Sequence, residues 1–373
     1  MTAVFVVNGL LLGTWIVRIP DFRAAFDLGE SALGLVLLAL SIGTLGALPV
    51  AGAAAARFGS RNLTIVGALI GSIALAALPW LPSPIALAAG LVVLGIGAAG
   101  CDIGMNAQGA GVQLAYGRSI MVGFHAAWSL GALTGALIGA ATLALRVPAT
   151  WHLGTAALAI LLAVILAAPW LRIRDQARRT STDRGPRLAL PRGPLVALAL
   201  VALGSTIGEN VASDWSGIVM ADLVGVGPER VAWGFVVFTA TMAVARLVGD
   251  RVANRLGEAR TIVAGGTLAA AGFLVVAAAS WLPGTLWITL AGFAAVGTGV
   301  AVIIPLTFTL GARLGRTSGE GIAAVATVGY GGFMIAPPVV GFVAERVDLR
   351  ASLVLVAVAM LVLVWRAPSA TRH

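Results

Sequence analysis

The chain is a succession of apolar runs, each about long enough to cross a bilayer and each ended by Arg, Pro, Gly or acidic residues. Twelve are readable, at about 2–17, 31–55, 62–80, 85–112, 119–145, 151–170, 194–219, 229–249, 261–281, 285–311, 321–343 and 350–365. A helix needs about 20 apolar residues to span the hydrocarbon core, and lipid leaves backbone polar groups no partner outside a helix or a closed barrel. Of the 373 residues 59% are hydrophobic and 10% charged, too little polarity to clothe a soluble protein of this size. The runs predict an all-α membrane protein with twelve transmembrane helices.

All 24 basic residues are arginine. With both termini in the cytoplasm, 18 of them fall on the cytoplasmic side: Arg57, Arg61, Arg118, seven from Arg172 to Arg192, Arg246, Arg251, Arg255, Arg260, Arg313, Arg316, Arg366 and Arg372. Arg18, Arg23, Arg146, Arg230, Arg346 and Arg350 fall on the other. That asymmetry follows the positive-inside rule for a multi-pass protein of the bacterial inner (cytoplasmic) membrane. The +9 net charge is then a signal of topology, and no basic stripe with interleaved aromatics points to nucleic acid. The one cysteine, Cys101, lies inside a run and reads as a small packing residue. The first run lacks a basic residue before Arg18 and an A-x-A site, which argues against a cleaved signal peptide.

The longest polar stretch, 171–193, is rich in Arg, Ser, Thr, Pro and Gly and reads as a cytoplasmic linker between six-helix bundles at 1–170 and 194–373. The halves echo one another. Arg57-Phe58-Gly59 returns as Arg255-Leu256-Gly257, and Gly117-Arg118-Ser119 as Gly315-Arg316-Thr317, both 198 positions later. Gly95-x-Gly97 returns as Gly297-x-Gly299, 202 positions later. Duplication of this kind is a feature of secondary transporters with a site between the repeats near the midplane.

The chain resembles the major facilitator superfamily over essentially its whole length. GAAAARFGSR (52–61) is similar to that superfamily's signature G-x-x-x-D-R-x-G-x-R, with Ala56 at the aspartate position; GDRVANRLGEAR (249–260) is the second copy, with Asn254 there and Arg246 one turn before Asp250. The resemblance implies that Arg57, Arg61, Arg246, Asp250 and Arg255 help lock the cytoplasmic side between states. GTWIVRIPD (13–21), CDIGMNAQG (101–109), GFHAAWSLG (123–131) and GENVASDWSG (208–217) resemble the MosC/YbjJ-like branch, distantly related to fucose-permease-type symporters. GIGAAG (95–100) fits a dinucleotide fingerprint, but no acid follows about 20 positions on. Its small residues suit close helix contact instead.

Ionisable residues inside a membrane are costly and face the bundle interior. Three acids stand well inside runs: Asp102 in the fourth, Glu209 and Asp214 in the seventh; His125 in the fifth joins them. Asp102, Asn106, Gly109 and Gln113 share one helical stripe, and Ser205, Glu209 and Ser213 run beside Asn210 and Asp214 as one wide polar face. Glu209, near mid-run, is the expected proton carrier, since burial disfavours a charged carboxylate; a permanently paired structural carboxylate is the alternative. Asp102 and His125 are further proton-coupling candidates. Asp102 and Asn106 suit sugar-like hydroxyls, or else a helix-packing hydrogen bond. His125 suits a relay or ligand, or a bond to a nearby carbonyl. Trp15, Trp128 and Trp215 are placed to stack on a ring or to anchor at the interface; Asn8, Asn210 and Tyr330 complete the substrate-binding set. Arg18 pairs either with Asp214, as a periplasmic gate, or with Asp21 three residues on. Pro305, Pro337 and Pro338 are expected to bend the tenth and eleventh helices.

No His/Cys cluster, nucleophile elbow or Walker loop stands in the chain, so neither an enzyme nor a cofactor is expected. The reading is a monomeric, proton-coupled secondary transporter of a small polar solute (a sugar, cyclitol or related metabolite). The alternatives are a proton-driven efflux antiporter of drugs or hydrophobic metabolites and, from another class, a transporter-like receptor or channel.

Overall fold

The computed structural model describes residues 1–117, 120–171, 190–279, 281–282 and 285–367. Most of the expected linker, with Arg118, Ser119 and Arg372, lies outside them. Every regular element among the described residues is helical. Ten stretches are long and apolar enough to cross a membrane. Two expected spans fall short of that measure for local reasons: one carries Arg246, Asp250, Arg251 and Arg255 in its second half, and the last, Leu349–Val364, is 16 residues long. The chain is an all-α membrane protein, and each of the twelve sequence runs corresponds to a helix or a pair of helices.

The chain divides into two compact units. The first comprises Met1–Leu28, Leu35–Asp183 and Pro228–Ala232. It holds α1 (Thr2–Ile16), α2 (Ile19–Ala25), most of α3 (Glu30–Phe58), α4 (Ser60–Ala77), α5 (Pro84–Tyr116), α6 (Met121–Ala144) and α7 (Ala149–Ala167). Its main pairings are α4 on α5, α1 on α6 and α4 on α7.

The second unit comprises Gly29–Gly34, Arg184–Gly227 and Trp233–His373. It holds α8 (Pro194–Asp222), α9 (Trp233–Leu256), α10 (Glu258–Ala279), α11 (Thr285–Val300), α12 (Ile303–Leu314), α13 (Ser318–Gly329), α14 (Gly331–Arg346) and α15 (Leu349–Val364). Here α10 packs on α11, α8 on α13 and α10 on α15, the counterparts of those three pairings, and α9 also packs on α11. The first turn of α3 belongs here: Ser31 N–H donates to Glu345 at 2.8 Å, and Gly34 abuts the backbone of Pro337 and Gly341.

The repeat is visible atom by atom. A methyl group on Gly97 would strike Gly71 on α4; one on Gly299 would strike Gly265 and Ala269 on α10. Gly95 meets the Leu40 carbonyl of α3, and Gly297 the Phe238 carbonyl of α9. Leu40 and Phe238, and Gly71 and Ala269, are 198 positions apart. The G-x-G pairs are thus crossing points where only hydrogen fits between two backbones. Gly59 and Gly257, with φ of 88° and 85°, each make the one-residue turn into the next helix, a conformation costly for any other residue.

The prolines act differently from one another. Pro305 has no N–H for the Ala301 carbonyl, and the break between α11 and α12 falls at residues 301–302. Pro337 and Pro338 lie inside α14, which continues through them. A break in the eleventh span falls at Tyr330, in the Gly-rich sequence GYGG. Trp80, Trp151, Trp170, Trp281, Trp287 and Trp365 are exposed at or near helix ends, as interfacial anchors are.

Replacing Gly97 or Gly299 by Ala is expected to destabilise the fold by roughly 1–3 kcal/mol through overpacking. Gly46→Ala, with nothing within 4 Å of the new methyl, should be neutral or stabilising. Thermal unfolding of the three purified variants checks this; equal midpoints would refute the crossing-point account.

Candidate functional site

In the first unit, α1, α5 and α6 carry five of the candidate residues: Asn8, Asp102, Asn106, His125 and Trp128. Asn8 is 3% exposed. Its Nδ2 donates to the Ala98 carbonyl of α5 at 3.3 Å, and its Oδ1 accepts from Trp128 Nε1 of α6 at 2.9 Å. Asp102 stands one turn beyond Ala98 on the same face of α5. Asn106 donates to Asp102 Oδ1 at 3.2 Å and to the Asp102 carbonyl at 2.9 Å. Asp102, Asn106 and Trp128 all keep part of their surface accessible. His125, one turn before Trp128, is exposed and sets its ring edge-on to Phe5 at 5.6 Å. Asn8 thus holds the Trp128 indole against α5. A sequence distance of 120 residues hid this bridge.

Arg18 follows α1 and is 2% exposed. Its Nε donates to His152 Nδ1 at 2.9 Å, Nη1 to Asp21 Oδ2 at 2.6 Å, and Nη2 to Thr142 Oγ1 at 3.0 Å and the Val147 carbonyl at 2.9 Å. In this structure the guanidinium is held within its own unit, and the local contact with Asp21 is formed. Because the Arg18 donor points at Nδ1, His152 is an acceptor there and so neutral. His152 went unnoticed in the sequence because it stands alone among apolar residues.

In the second unit the polar face of α8 divides in two. Glu209 Oε1 lies 3.5 Å from Arg246 Nη2 of α9, with side-chain exposures of 20% and 32%. Arg246, expected to act with Asp250 in the α9–α10 loop motif, therefore reaches α8. On the neighbouring row Asn210 Nδ2 donates to Asp214 Oδ2 at 3.0 Å, both residues being buried. The Ser213 hydroxyl donates to the Glu209 carbonyl and serves the backbone. Tyr330, at the α13–α14 break, packs between Phe308 and Phe333. At the repeat position of Asn8, Thr206 donates to the Gly329 carbonyl of α13 at 2.5 Å.

Two candidates change character. Trp15 and Trp215 are 1% and 0% exposed, so in this structure they present no face to a ligand and sit at no interface; their rings fill the core about α1 and α8. Trp15 lies 5.3 Å from Phe22. Of the loop residues, Arg57 lies over the Phe58 ring, Arg61 donates to the Ala168 carbonyl at 3.1 Å, and Asp250 and Arg255 are exposed.

A duplicated helical framework with carboxylates, amides and an arginine inside its spans is the build of a secondary transporter. Residues 1–330 match the sequence model of the Major Facilitator Superfamily, and the chain belongs to that family. It is 32% identical over 353 residues to an uncharacterized transporter of Sinorhizobium fredii, covering 94% of this chain and 92% of that one. It is 29% identical over 362 residues to the membrane protein MosC of Rhizobium meliloti, covering 96% and 86%. Among solved structures, the nucleoside transporter NupG (D323A mutant) superposes with a TM-score of 0.81 at 12% identity, covering 100% of this chain and 98% of that one. A D-xylose-proton symporter does so with 0.73 at 17% identity, covering 96% of each. The chain is a membrane transporter of the major facilitator type and not an enzyme.

Arg18→Gln is expected to cost about 3 kcal/mol, because it strands the groups that Arg18 joins. The double charge reversal Arg18→Asp with Asp214→Arg should stay inactive in a transport assay, because Arg18 serves its own unit; recovery of activity would establish an Arg18–Asp214 gate.

Proposed function

We propose that the protein is a proton-coupled symporter of a small polar, ring-bearing solute, a sugar, cyclitol or nucleoside-like metabolite. It works as a monomer in the bacterial inner membrane with both termini cytoplasmic. In this reading 1–170 and 194–373 are the two bundles whose alternating access moves the solute, joined by 171–193.

The observation that carries the proposal is the Glu209–Arg246 pair. It lies mid-way along α8, yet both side chains keep accessible surface. Charges cannot rest against lipid at that depth, so the pair belongs to a wet space. Its 3.5 Å contact joins one oxygen to one nitrogen, longer than the 2.7–2.9 Å or so of a strong charge-assisted bond. A proton on Glu209 cancels its attraction to Arg246; loss of the proton restores it. Solute hydroxyls that bond to Arg246 favour the protonated carboxylate, which couples the two ligands through one contact. Within the first unit by itself, Asp102, Asn106 and the Asn8-held Trp128 offer acceptors and a ring platform suited to a polar ring.

Two of the structural neighbours are a nucleoside transporter and a D-xylose-proton symporter. At their low identity they speak for the fold, so the solute class rests on the residues above. The aromatic group of Phe308, Tyr330 and Phe333 is the feature an efflux antiporter of hydrophobic compounds would use. The amides and charges elsewhere outweigh it.

The test uses proteoliposomes and a labelled solute chosen by thermal-shift screening of sugars, cyclitols and nucleosides. Glu209→Gln is expected to lower accumulation driven by a pH gradient at least about tenfold, roughly 1.4 kcal/mol or more in coupling, while sparing solute exchange. Undiminished accumulation would overturn the proposal. Resistance to toxic compounds on expression, without uptake of any polar solute, would favour efflux.

A further inference from the structure

One stripe of α9 changes character along its length. Ala240, Val244, Leu247, Val248, Arg251 and Arg255 follow one another at helical spacing. Val244, Leu247 and Val248 are exposed, and on a membrane helix such a row is the surface that lipid chains cover. Arg251 and Arg255 continue the row past the apolar run, in the last two turns of the helix, and both are exposed. Among the described residues neither has a hydrogen bond, an ion pair or a ring contact. One turn separates them, so their Cβ atoms stand about 6 Å apart. At that spacing a single phosphate can accept from both guanidinium groups.

The acids nearby do not occupy this pair. Asp250 lies about 100° or more around the helix from the arginine row, on the side of Arg246 and Asn254. Glu258, at the start of α10, is bonded to Arg313 at 2.9 Å. The repeat adds a comparison inside the molecule. On α3, 198 positions earlier, Ala53 stands in place of Arg251, Arg57 in place of Arg255 and Phe58 in place of Leu256. Arg57 lies over the Phe58 ring at 5.2 Å. The first copy thus has one arginine, with a ring beneath it; the second has two, beside an aliphatic residue.

We propose that the end of α9 is a docking site for an anionic phospholipid. The phosphate accepts from Arg251 and Arg255, and an acyl chain lies along Val248, Leu247 and Val244. A free phosphate would satisfy the arginines alone; the unbroken passage from the arginines to exposed aliphatic side chains fits a headgroup with its tail. Arginine close to a membrane surface is attracted to anionic lipid by about 1 kcal/mol per residue, and shared acceptance by one phosphate adds to that. The site lies apart from the solute and coupling residues and stands whatever solute the protein carries.

The test uses the full-length protein purified in mild detergent, stripped of lipid and titrated with dioleoyl phosphatidylglycerol, dioleoyl phosphatidylethanolamine or inorganic phosphate. Native mass spectrometry reads bound lipid and oligomeric state together, and thermal unfolding reads stabilisation. The wild type is expected to hold phosphatidylglycerol at least about tenfold more tightly than phosphatidylethanolamine, and Arg251→Gln with Arg255→Gln to lose at least about tenfold of that affinity. Arg146→Gln, which removes an exposed arginine from the α6–α7 connection, controls for charge alone and should bind as the wild type does. Equal retention by wild type and the double variant overturns the proposal, as does an equal loss in Arg146→Gln or no preference for the anionic headgroup. Stabilisation by inorganic phosphate that matches the lipid's makes the ligand a free phosphate and overturns the lipid. Lipid-free dimers that depend on the two arginines make the occupant a second copy and overturn it too. If the double variant does not fold, Arg251→Gln alone decides: a severalfold loss supports the site, and unchanged retention overturns it.

Discussion

Lipid offers charge no solvation, and that constraint shapes nearly every polar detail of this molecule. The few ionisable groups inside the spans are gathered on the helices most enclosed by their own unit, or on helices packed against those, and each is given a partner chosen for its setting. Arg18 is held by four acceptors from α2, α6, the α6–α7 connection and α7. Glu209 has a cation beside it, and the two aspartates have a neighbouring asparagine each. These are three solutions to one problem, and they differ in how easily they can be undone. Arg18 is fastened on all sides and buried, the habit of a structural rivet. The Glu209–Arg246 contact is single, long and accessible, which suits a group that must change partners.

What the sequence made legible follows from what is local or periodic. Spans, the Gly-based repeat and the acid-bearing faces of α5 and α8 are written in residue spacing, and Asn210 and Asp214 touch as an i, i+4 pair should. The contacts that assign roles are of another kind. Arg18 meets His152 across 134 residues, and Arg246 meets Glu209 across 37. No periodicity connects such pairs; only helix packing does. Trp15 and Trp215 show the same limit from the other side. A tryptophan beside polar residues near a helix end reads as a ligand platform or as an interfacial anchor, whereas both rings are buried in this structure.

The two copies have kept their backbone crossings and exchanged their side-chain chemistry. Where the first places Asn8 between α1 and α6, the second places Thr206 between α8 and α13. The crossing survives because glycine contacts are set by backbone distance, which tolerates little change. The polar bridge beside it needs only a donor and an acceptor. A scaffold of this sort lets recognition groups diverge while the packing that supports them stays fixed.

The interruptions at residues 301–302 and at Tyr330 belong to the second copy alone. Its counterpart spans in the first copy, α5 and α6, run unbroken for 33 and 24 residues. Ile103 occupies the position that Pro305 takes 202 residues later, so a single ring accounts for one of the two joints. Duplication has therefore yielded unequal mechanical elements: stiff rods in one copy, articulated ones in the other. Any bending strain applied to these second-copy spans will collect at those joints.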